Sequence, residues 1–167
     1  RLILRQWRDS DLDGFAAMMS HRDVARFLTA DGRPLDRTAA WRQMALYAGH
    51  WPLKGYGLFV LEEKETGAFV GRAGCWQPEG WYGFEIGWGL DPRVWGKGYA
   101  TEAARAAANW AFVTFNLERV VSVIHVDNER SKGVARRMGM SRGVRTIHAG
   151  MPHDVWFVTR ARFVPRL

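Results

Sequence analysis

The spacing of apolar residues predicts a strand followed by helices in the first part of the chain. Residues 2–6 form a short apolar run that is typical of a strand. Apolar residues then recur at helical spacing over residues 12–19, and residues 23–28 add another helical turn. Asp36 is a good N-cap for a further helix, which we expect to end near Ala48 because His50-Trp51-Pro52 follows.

The period of the pattern changes to two near Tyr56, which is typical of strands. We expect strands at residues 56–62, 68–76 and 84–90, the first two joined by a polar turn that ends in Gly67. Residues 100–115 are rich in alanine and lack glycine and proline, so they predict a helix.

The last part of the chain predicts a strand, a helix and a hairpin. Residues 120–126 are nearly all apolar, as in a strand that is covered on both faces. Residues 129–138 form a short basic helix that ends at Gly139. Residues 145–149 and 153–159 form a closing hairpin. The order of elements therefore predicts an α+β fold with about seven strands.

Composition narrows the class of protein. The chain has 167 residues, of which 47% are hydrophobic, and this size suits a single domain over residues 1–167. It contains no run of about eighteen apolar residues, so we expect no membrane partner. The single cysteine, Cys75, and an N-terminus without signal-peptide features predict a cytoplasmic protein.

The net charge of +7 leaves three classes of partner open: nucleic acid, a membrane surface or an anionic ligand. The basic residues are spread along the chain, and their densest groups are at residues 130–137 and 142–145. Because the sequence contains no lysine tract or basic–aromatic repeat, we expect no nucleic-acid partner. Steeply salt-dependent binding of DNA or RNA would be the sign of one.

The stretch at residues 93–103 carries the clearest chemistry. Asp91-Pro92 breaks the strand before it and a helix follows, so the segment is strand, glycine-rich turn and helix. Gly96 and Gly98 let the backbone curl, and the helix N-terminus adds unpaired N–H groups, so a phosphate or pyrophosphate pocket is expected. A Walker loop would need serine or threonine directly after Lys97, and a Rossmann turn would need a small residue at Thr101; both fit poorly.

The pattern Arg-x-x-Gly-x-Gly, from Arg93 to Gly98, resembles the coenzyme A pyrophosphate signature of the GNAT superfamily of N-acetyltransferases. The longer string at residues 87–103 resembles the RimJ/RimL-type branch, which includes enzymes that acetylate ribosomal-protein N-termini. The resemblance implies acetyl-CoA as co-substrate and a GNAT-like mixed, mostly antiparallel sheet with about four flanking helices. It also implies cofactor contacts at Arg93, Val94, Trp95, Gly96, Lys97, Gly98, Tyr99, Ala100 and Thr101.

Two further segments are expected to contact the cofactor. The strand broken at Asp91-Pro92 has free N–H groups, and the resemblance implies that pantetheine pairs with its backbone at Trp88, Gly89 and Leu90. Asn128-Glu129-Arg130-Ser131 matches the Asn-x-x-Ser of the RimL-type branch, and Ser131 could hydrogen-bond the sulfur. Alternatively, Asn128 and Ser131 only cap a helix. Many family members have a tyrosine acid where this chain has Ala135, so the chain departs from the common pattern there.

The acceptor needs a base, since an alkylamine with a pKa of about 10 is mostly protonated at neutral pH. Glu85 is the only acid inside the strand before the loop, and partial burial could raise its pKa. The RimL-type branch has a glutamate at the matching position. A structural role for Glu85 is the alternative, and Asp154 and Glu79 are weaker rivals. His125 has no partner at metal-ligand spacing, so we expect no metal.

The sequence therefore predicts an acetyl-CoA-dependent N-acetyltransferase that acts by direct attack of a primary amine, either a small amine or a protein N-terminus. A non-catalytic acyl-CoA-binding module and a nucleic-acid-binding domain are the alternatives. Aromatic residues in loops favour a small or short amine in a closed pocket. These residues are Trp51, Tyr56, Trp76, Trp81 and Tyr82. We expect a monomer or a homodimer.

Overall fold

The computed structural model describes residues 1–164 and contains one mixed sheet. Its strands are β1 (Leu2–Arg5), β2 (Leu58–Glu63), β3 (Phe69–Trp76), β4 (Glu85–Leu90), β5 (Arg119–His125), β6 (Ser141–His148) and β7 (Met151–Thr159). They lie in the order β1-β2-β3-β4-β5-β7-β6. All neighbours are antiparallel except β4 and β5, which run parallel. The prediction of an α+β fold with a mixed, mostly antiparallel sheet is confirmed.

Five α-helices occur in the described residues, one more than the expected four or so. They are α1 (Leu12–Met19), α2 (Arg22–Leu28), α3 (Arg37–Lys54), α4 (Tyr99–Phe115) and α5 (Glu129–Arg137). The additional helix is α2, which the sequence indicated only as a further turn. It is separate from α1 because His21 is extended and its side chain accepts a hydrogen bond from the N–H of Asp23, as an N-cap does.

The predicted end of α3 near Ala48 is wrong, because the helix continues through Pro52 and ends at Gly55. Contacts with the following strand hold its last turns in place. The Trp51 indole donates a hydrogen bond to the carbonyl of Leu58 at 3.2 Å. The buried His50 ring pairs with the carbonyl of Tyr56 at 2.8 Å. These contacts between the helix and the residues that follow it outweigh the local preference of proline to end a helix.

The closing hairpin is also longer than predicted, since β6 begins at Ser141 rather than at residue 145. Its pairing with β7 shifts between Arg142 and Arg145, which marks a bulge. The bulge interrupts the period-two pattern, and this explains why the pattern did not indicate a strand at the first residues of β6.

The two faces of the sheet are covered by different helices. On one face, α4 buries an alanine stripe, with Ala103, Ala107 and Ala111 packed toward the sheet. On the other face, α1 and α3 pack apolar side chains such as Phe15 and Tyr47 against β2 and β3. None of the helices in residues 1–164 is long and apolar enough to cross a membrane.

The sheet forks where the parallel strands β4 and β5 meet. Their register holds a single pair, Glu85 with Val121. Just beyond this pair, side chains replace the backbone ladder: Glu85 Oε1 accepts from the N–H of Val123 at 2.9 Å, and Ser122 Oγ donates to the carbonyl of Ile86 at 2.7 Å. The strands then diverge, so the end of β4 near Trp88 borders a gap on its β5 side, while its other side still pairs with β3.

Candidate active site

Two cavities meet at the fork. The larger, here called the loop groove, has a volume of about 820 Å³ and lies between α2, the end of β4 and the N-termini of α4 and α5. The smaller, here called the inner cavity, has a volume of about 420 Å³ and lies between β3, β4, β5 and α3. Both are lined by Phe27, Leu28, Trp88, Asn128 and Ser131, so a ligand in one can reach the other at this point.

The glycine-rich turn forms one wall of the loop groove. Gly96 and Gly98 both have a φ of +82°, a left-handed conformation that glycine adopts at little cost. Gly98 is also the N-cap residue of α4, so the unpaired N–H groups of a 17-residue helix start at the groove. The predicted contact residues that line the groove are Trp88, Gly89, Leu90, Val94, Trp95, Gly96, Gly98, Tyr99, Ala100, Thr101, Asn128 and Ser131.

Arg93 and Lys97, the remaining predicted contacts, do not line the groove. The exposed Arg93 side chain donates to both carboxylate oxygens of Asp91 at 2.9 Å. Lys97 Nζ lies 3.9 Å from Glu63 Oε1. Their part in phosphate binding stays a prediction, and it would require the Arg93 side chain to leave Asp91.

Positive charge in the loop groove comes instead from α2 and from the basic segment at residues 130–137. The Arg130 guanidinium lies over the Trp95 ring, with its Cζ 4.1 Å from the ring centroid. Arg137 donates a hydrogen bond to Thr101 Oγ1 at 3.0 Å, and Arg26 also lines the groove. The neighbouring Lys132 and Arg136 form ion pairs with Glu129 instead.

Ser131 stands where the two cavities join. Asn128 caps α5, because its Oδ1 accepts a hydrogen bond from the N–H of Ser131 at 3.1 Å. The Trp88 indole donates to Ser131 Oγ at 3.2 Å. Since the hydroxyl oxygen already accepts this bond, its own proton is free to donate to a third group.

Glu85 lines the inner cavity and is 7% exposed. Its Oε2 accepts from the Trp81 indole at 2.5 Å, and its Oε1 accepts from the backbone of Val123. Burial raises the pKa of Glu85 to about 7, although these two hydrogen bonds and the charge of Arg72 lower it. A carboxyl group with this pKa can both take up and release a proton near neutral pH.

The two rival acids do not line either cavity. Asp154 is buried and forms ion pairs with Arg142 and Arg145 at 2.9 and 3.0 Å. Burial raises the pKa of Asp154, but the hydrogen bonds from these arginines outweigh it and hold that pKa below its ordinary value. Glu79 is exposed. Among the acids of residues 1–164, Glu85 is therefore the one that lines the inner cavity.

The aromatic residues expected at the acceptor site divide into two groups. Trp76 and Trp81 line the inner cavity, and Tyr82 lies next to Trp81. Trp51 packs on Phe59 and Trp110, and Tyr56 packs on Phe84 and Phe115, so both lie on the α4 face of the sheet. The prediction that Trp51 and Tyr56 lie at the acceptor pocket is therefore wrong. They instead pack α3 and β2 against α4.

Sequence reasoning missed several polar residues of the inner cavity, namely Arg72, Gln43, His148 and His153. A period-two pattern does not distinguish which face of a strand meets a cavity, so an isolated arginine in β3 gave no functional signal. The rings of His125, His148 and His153 pack edge to face at centroid distances of 5.1 and 5.3 Å. In residues 1–164, no group of histidine, cysteine or acidic side chains is arranged to hold a metal ion.

Comparison with known proteins agrees with this geometry. Residues 1–141 match the family model described as the acetyltransferase (GNAT) domain. The chain is 40% identical over 91 residues to the uncharacterized protein YkkB of Bacillus subtilis, a match that spans 52% of this chain and 53% of YkkB. The chain thus matches only about half the length of that relative.

Solved structures extend the likeness to nearly the whole chain. An acetyltransferase from Agrobacterium tumefaciens is 28% identical and superposes with a TM-score of 0.83, covering 96% of this chain and 91% of that protein. A spermidine N-acetyltransferase from Vibrio cholerae, solved with CoA and spermine, shares the fold at a TM-score of 0.75 and 18% identity, over 96% of each chain. The chain therefore belongs to the GNAT family of N-acetyltransferases.

Proposed function

We propose that this protein transfers the acetyl group of acetyl-CoA to a primary amine by direct attack on the thioester. The observation that carries the proposal is the meeting of two cavities at Ser131, with a phosphate-type glycine loop in one and a buried carboxyl group in the other. One cavity would hold the acetyl donor and the other the acceptor. The thioester supplies an activated acetyl group, and the residues of the chain orient it and move protons.

The loop groove fits coenzyme A in its chemistry. Its turn at Gly96 and Gly98 and the start of α4 offer N–H groups to a pyrophosphate. Arg130, which lies over Trp95, and Arg137, which is bonded to Thr101, add full positive charges to the groove. The gap beside Trp88, Gly89 and Leu90 leaves room for the amide groups of pantetheine to pair with β4.

Glu85 would act as the base. Its pKa near 7 lets it take a proton from the acceptor ammonium, directly or through one water. Ser131 would donate a hydrogen bond from its hydroxyl group to the departing sulfur, which leaves as thiolate. The acceptor would be a small or short amine, because aromatic and histidine rings surround a cavity of only about 420 Å³; a protein N-terminus is the alternative.

Release of free CoA in the presence of amines tests this proposal. We expect acetyl-CoA alone to be stable with the protein, and a panel of small amines and short peptides to include acceptors that release CoA with saturable kinetics. Mass spectrometry of the acceptor should show one added acetyl group. Tight acetyl-CoA binding without CoA release from any amine would instead identify a non-catalytic acyl-CoA-binding module.

Replacing Ser131 with alanine should lower kcat by about tenfold, with a smaller change in the Kd for acetyl-CoA. The loss is below the roughly 10²–10⁴-fold of a full acid–base catalyst, because a thiol with a pKa of about 8.5 leaves readily as thiolate. Steady-state kinetics and calorimetry separate the two quantities. Ser141→Ala, in the exposed start of β6, is the matched control. An unchanged kcat with a weaker Kd would limit Ser131 to cofactor binding.

A further inference from the structure

Arg72 is a buried cation with no hydrogen-bonded or ion-paired partner in residues 1–164. It lies in β3 opposite Gly89, is 7% exposed and lines the inner cavity. Within the described part of the chain, its side chain donates no hydrogen bond and forms no ion pair, and its buried Nε atom is left unsatisfied. Buried arginines are normally paired, because an unpaired charge away from water is costly. The unmet hydrogen bonds therefore point to a ligand.

The surroundings of Arg72 hold its guanidinium in one place. A Cβ atom on Gly89 would lie 3.8 Å from Arg72 Cζ, and one on Gly87 would lie 4.0 Å from Nη1, so the guanidinium lies directly beside these two residues of β4. The Arg72 Cζ lies 4.8 Å from the centroid of the Tyr47 ring. The guanidinium thus rests against β4 and Tyr47, and its fork of donors is preorganised for a planar anion.

The position of Arg72 relative to Glu85 defines the spacing of a possible ligand. Glu85, Gly87 and Gly89 share one face of β4, since alternate residues of a strand point the same way. Although Arg72 pairs with Gly89, its Nη1 lies against Gly87, two residues from Glu85, and two residues along a strand span about 7 Å. The base and the cation therefore lie within reach of the two ends of one small molecule, and the charge of Arg72 acts on Glu85 without forming an ion pair with it.

We propose that the acceptor is an amine that carries a carboxylate a few bonds from its nitrogen, with the carboxylate bound by Arg72 and the amine placed beside Glu85. This inference rests on the proposed function and specifies its acceptor. The other charged or titratable residues lining the cavity are Tyr47, His125, His148 and His153. No other acid lines it among residues 1–164, so nothing there competes with the acceptor for Arg72. Polyamines should be poor acceptors, because their additional positive charges would face the cation.

Binding of matched product analogues tests the inference without relying on turnover. CoA-loaded protein is titrated by calorimetry with N-acetylglycine, N-acetyl-leucine and N-acetylphenylalanine, each beside its uncharged carboxamide. We expect at least one acid to bind roughly tenfold or more tightly than its amide, as for hydrogen bonds to a charged partner. Acid binding that is equal to amide binding, weaker or absent in every pair overturns the inference.

Arg72→Met should abolish the preference for the acid, and Arg72→Lys should retain only part of it, because lysine lacks the planar fork. Arg42→Met, which removes an exposed arginine from α3, is the matched control and should keep the full preference. The thermal shift caused by acetyl-CoA checks that each variant is folded. A preference that persists unchanged in Arg72→Met would assign the anion to another group and overturn the role of Arg72.

Kinetics with the free amino acids and their amides separate this inference from the proposed function. An acid preference in binding without acetylation of any amine would leave the anion site standing and refute the proposed transfer. Acetylation of acids and amides with equal kcat/KM, together with equal binding of their acetylated forms, would leave the transfer standing and refute the anion site.

Discussion

Replacing Glu85 with glutamine is expected to lower kcat/KM at neutral pH by about 10²–10⁴-fold, the usual loss when a general base is removed. Glutamine keeps nearly the same shape but cannot take up a proton. Its single carbonyl oxygen can replace only one of the two carboxylate oxygens that accept from Trp81 and Val123, because its amide nitrogen is a donor. The Kd for acetyl-CoA should change much less, because Glu85 lines the inner cavity and not the loop groove.

The pH dependence provides the sharper measurement. The base must be ionised, so kcat/KM of the parent should rise with pH and level off above about 7, where Glu85 has lost its proton. The glutamine variant depends on amine that is already neutral, so its kcat/KM should keep rising toward the amine pKa of about 10. The difference between the two proteins should therefore shrink at high pH.

Glu79→Gln is the matched control, since Glu79 is an exposed glutamate in the loop before β4 that lines neither cavity. It should keep the activity and pH profile of the parent. If Glu85→Gln keeps a profile of the same shape as the parent, Glu85 is a structural residue that joins β4 to β5, and the base must be sought elsewhere.

Replacing Gly98 with valine is expected to abolish the increase in melting temperature that acetyl-CoA causes by mass action. Gly98 has a φ of +82° at the N-cap of α4, and a β-branched residue adopts this conformation only with strain. The added side chain would also stand beside the N–H groups offered to the pyrophosphate. Both effects should disturb the loop that forms the wall of the groove.

Gly67→Val separates loss of binding from loss of stability. Gly67 has a φ of +70° in the turn between β2 and β3, and a Cβ atom added there would meet nothing within 4 Å in residues 1–164 apart from its chain neighbours. The two variants should therefore lose similar stability, but only Gly98→Val should lose acetyl-CoA binding. Calorimetric binding by Gly98→Val that is as tight as in the parent would show that this loop does not hold the pyrophosphate.

The parts of the fold that follow from local pattern could be predicted from the sequence. The alanine-rich α4 and the period-two strands depend on which residues are buried away from water. The sequence predicts this directly, because it gives the apolar or polar character of every residue. The extension of α3 past Pro52 was not readable, because it depends on contacts of His50 and Trp51 with residues that follow the helix. In a sequence pattern, proline predicts the end of a helix, because the pattern contains no information about the tertiary contacts that offset the hydrogen bond lost at proline.

The candidate site shows the same division. Glu85 and the glycine loop could be singled out because a carboxyl group within an apolar strand and paired glycines before a helix are locally unusual. The side chain of Arg93 was expected at the groove, but Asp91 two residues earlier captures it. Arg72 could not be recognised as a candidate ligand-binding residue from the sequence. The inference depends on its lack of a hydrogen-bonded or ion-paired partner, which only the packed structure of residues 1–164 reveals.

The fork in the sheet has a consequence for how the protein unfolds. Because β4 and β5 share one backbone pair, the sheet consists of two half-sheets, strands β1–β4 and strands β5–β7, which are joined at Glu85 and Val121. Acetyl-CoA bound in the gap would bridge the two half-sheets as an added strand does, so they would unfold together rather than one after the other. The amide hydrogens of Trp88 and Leu90, which face the gap rather than β3, would then exchange slowly with solvent only while the donor is bound. Unfolding would therefore be most cooperative in the complex with acetyl-CoA.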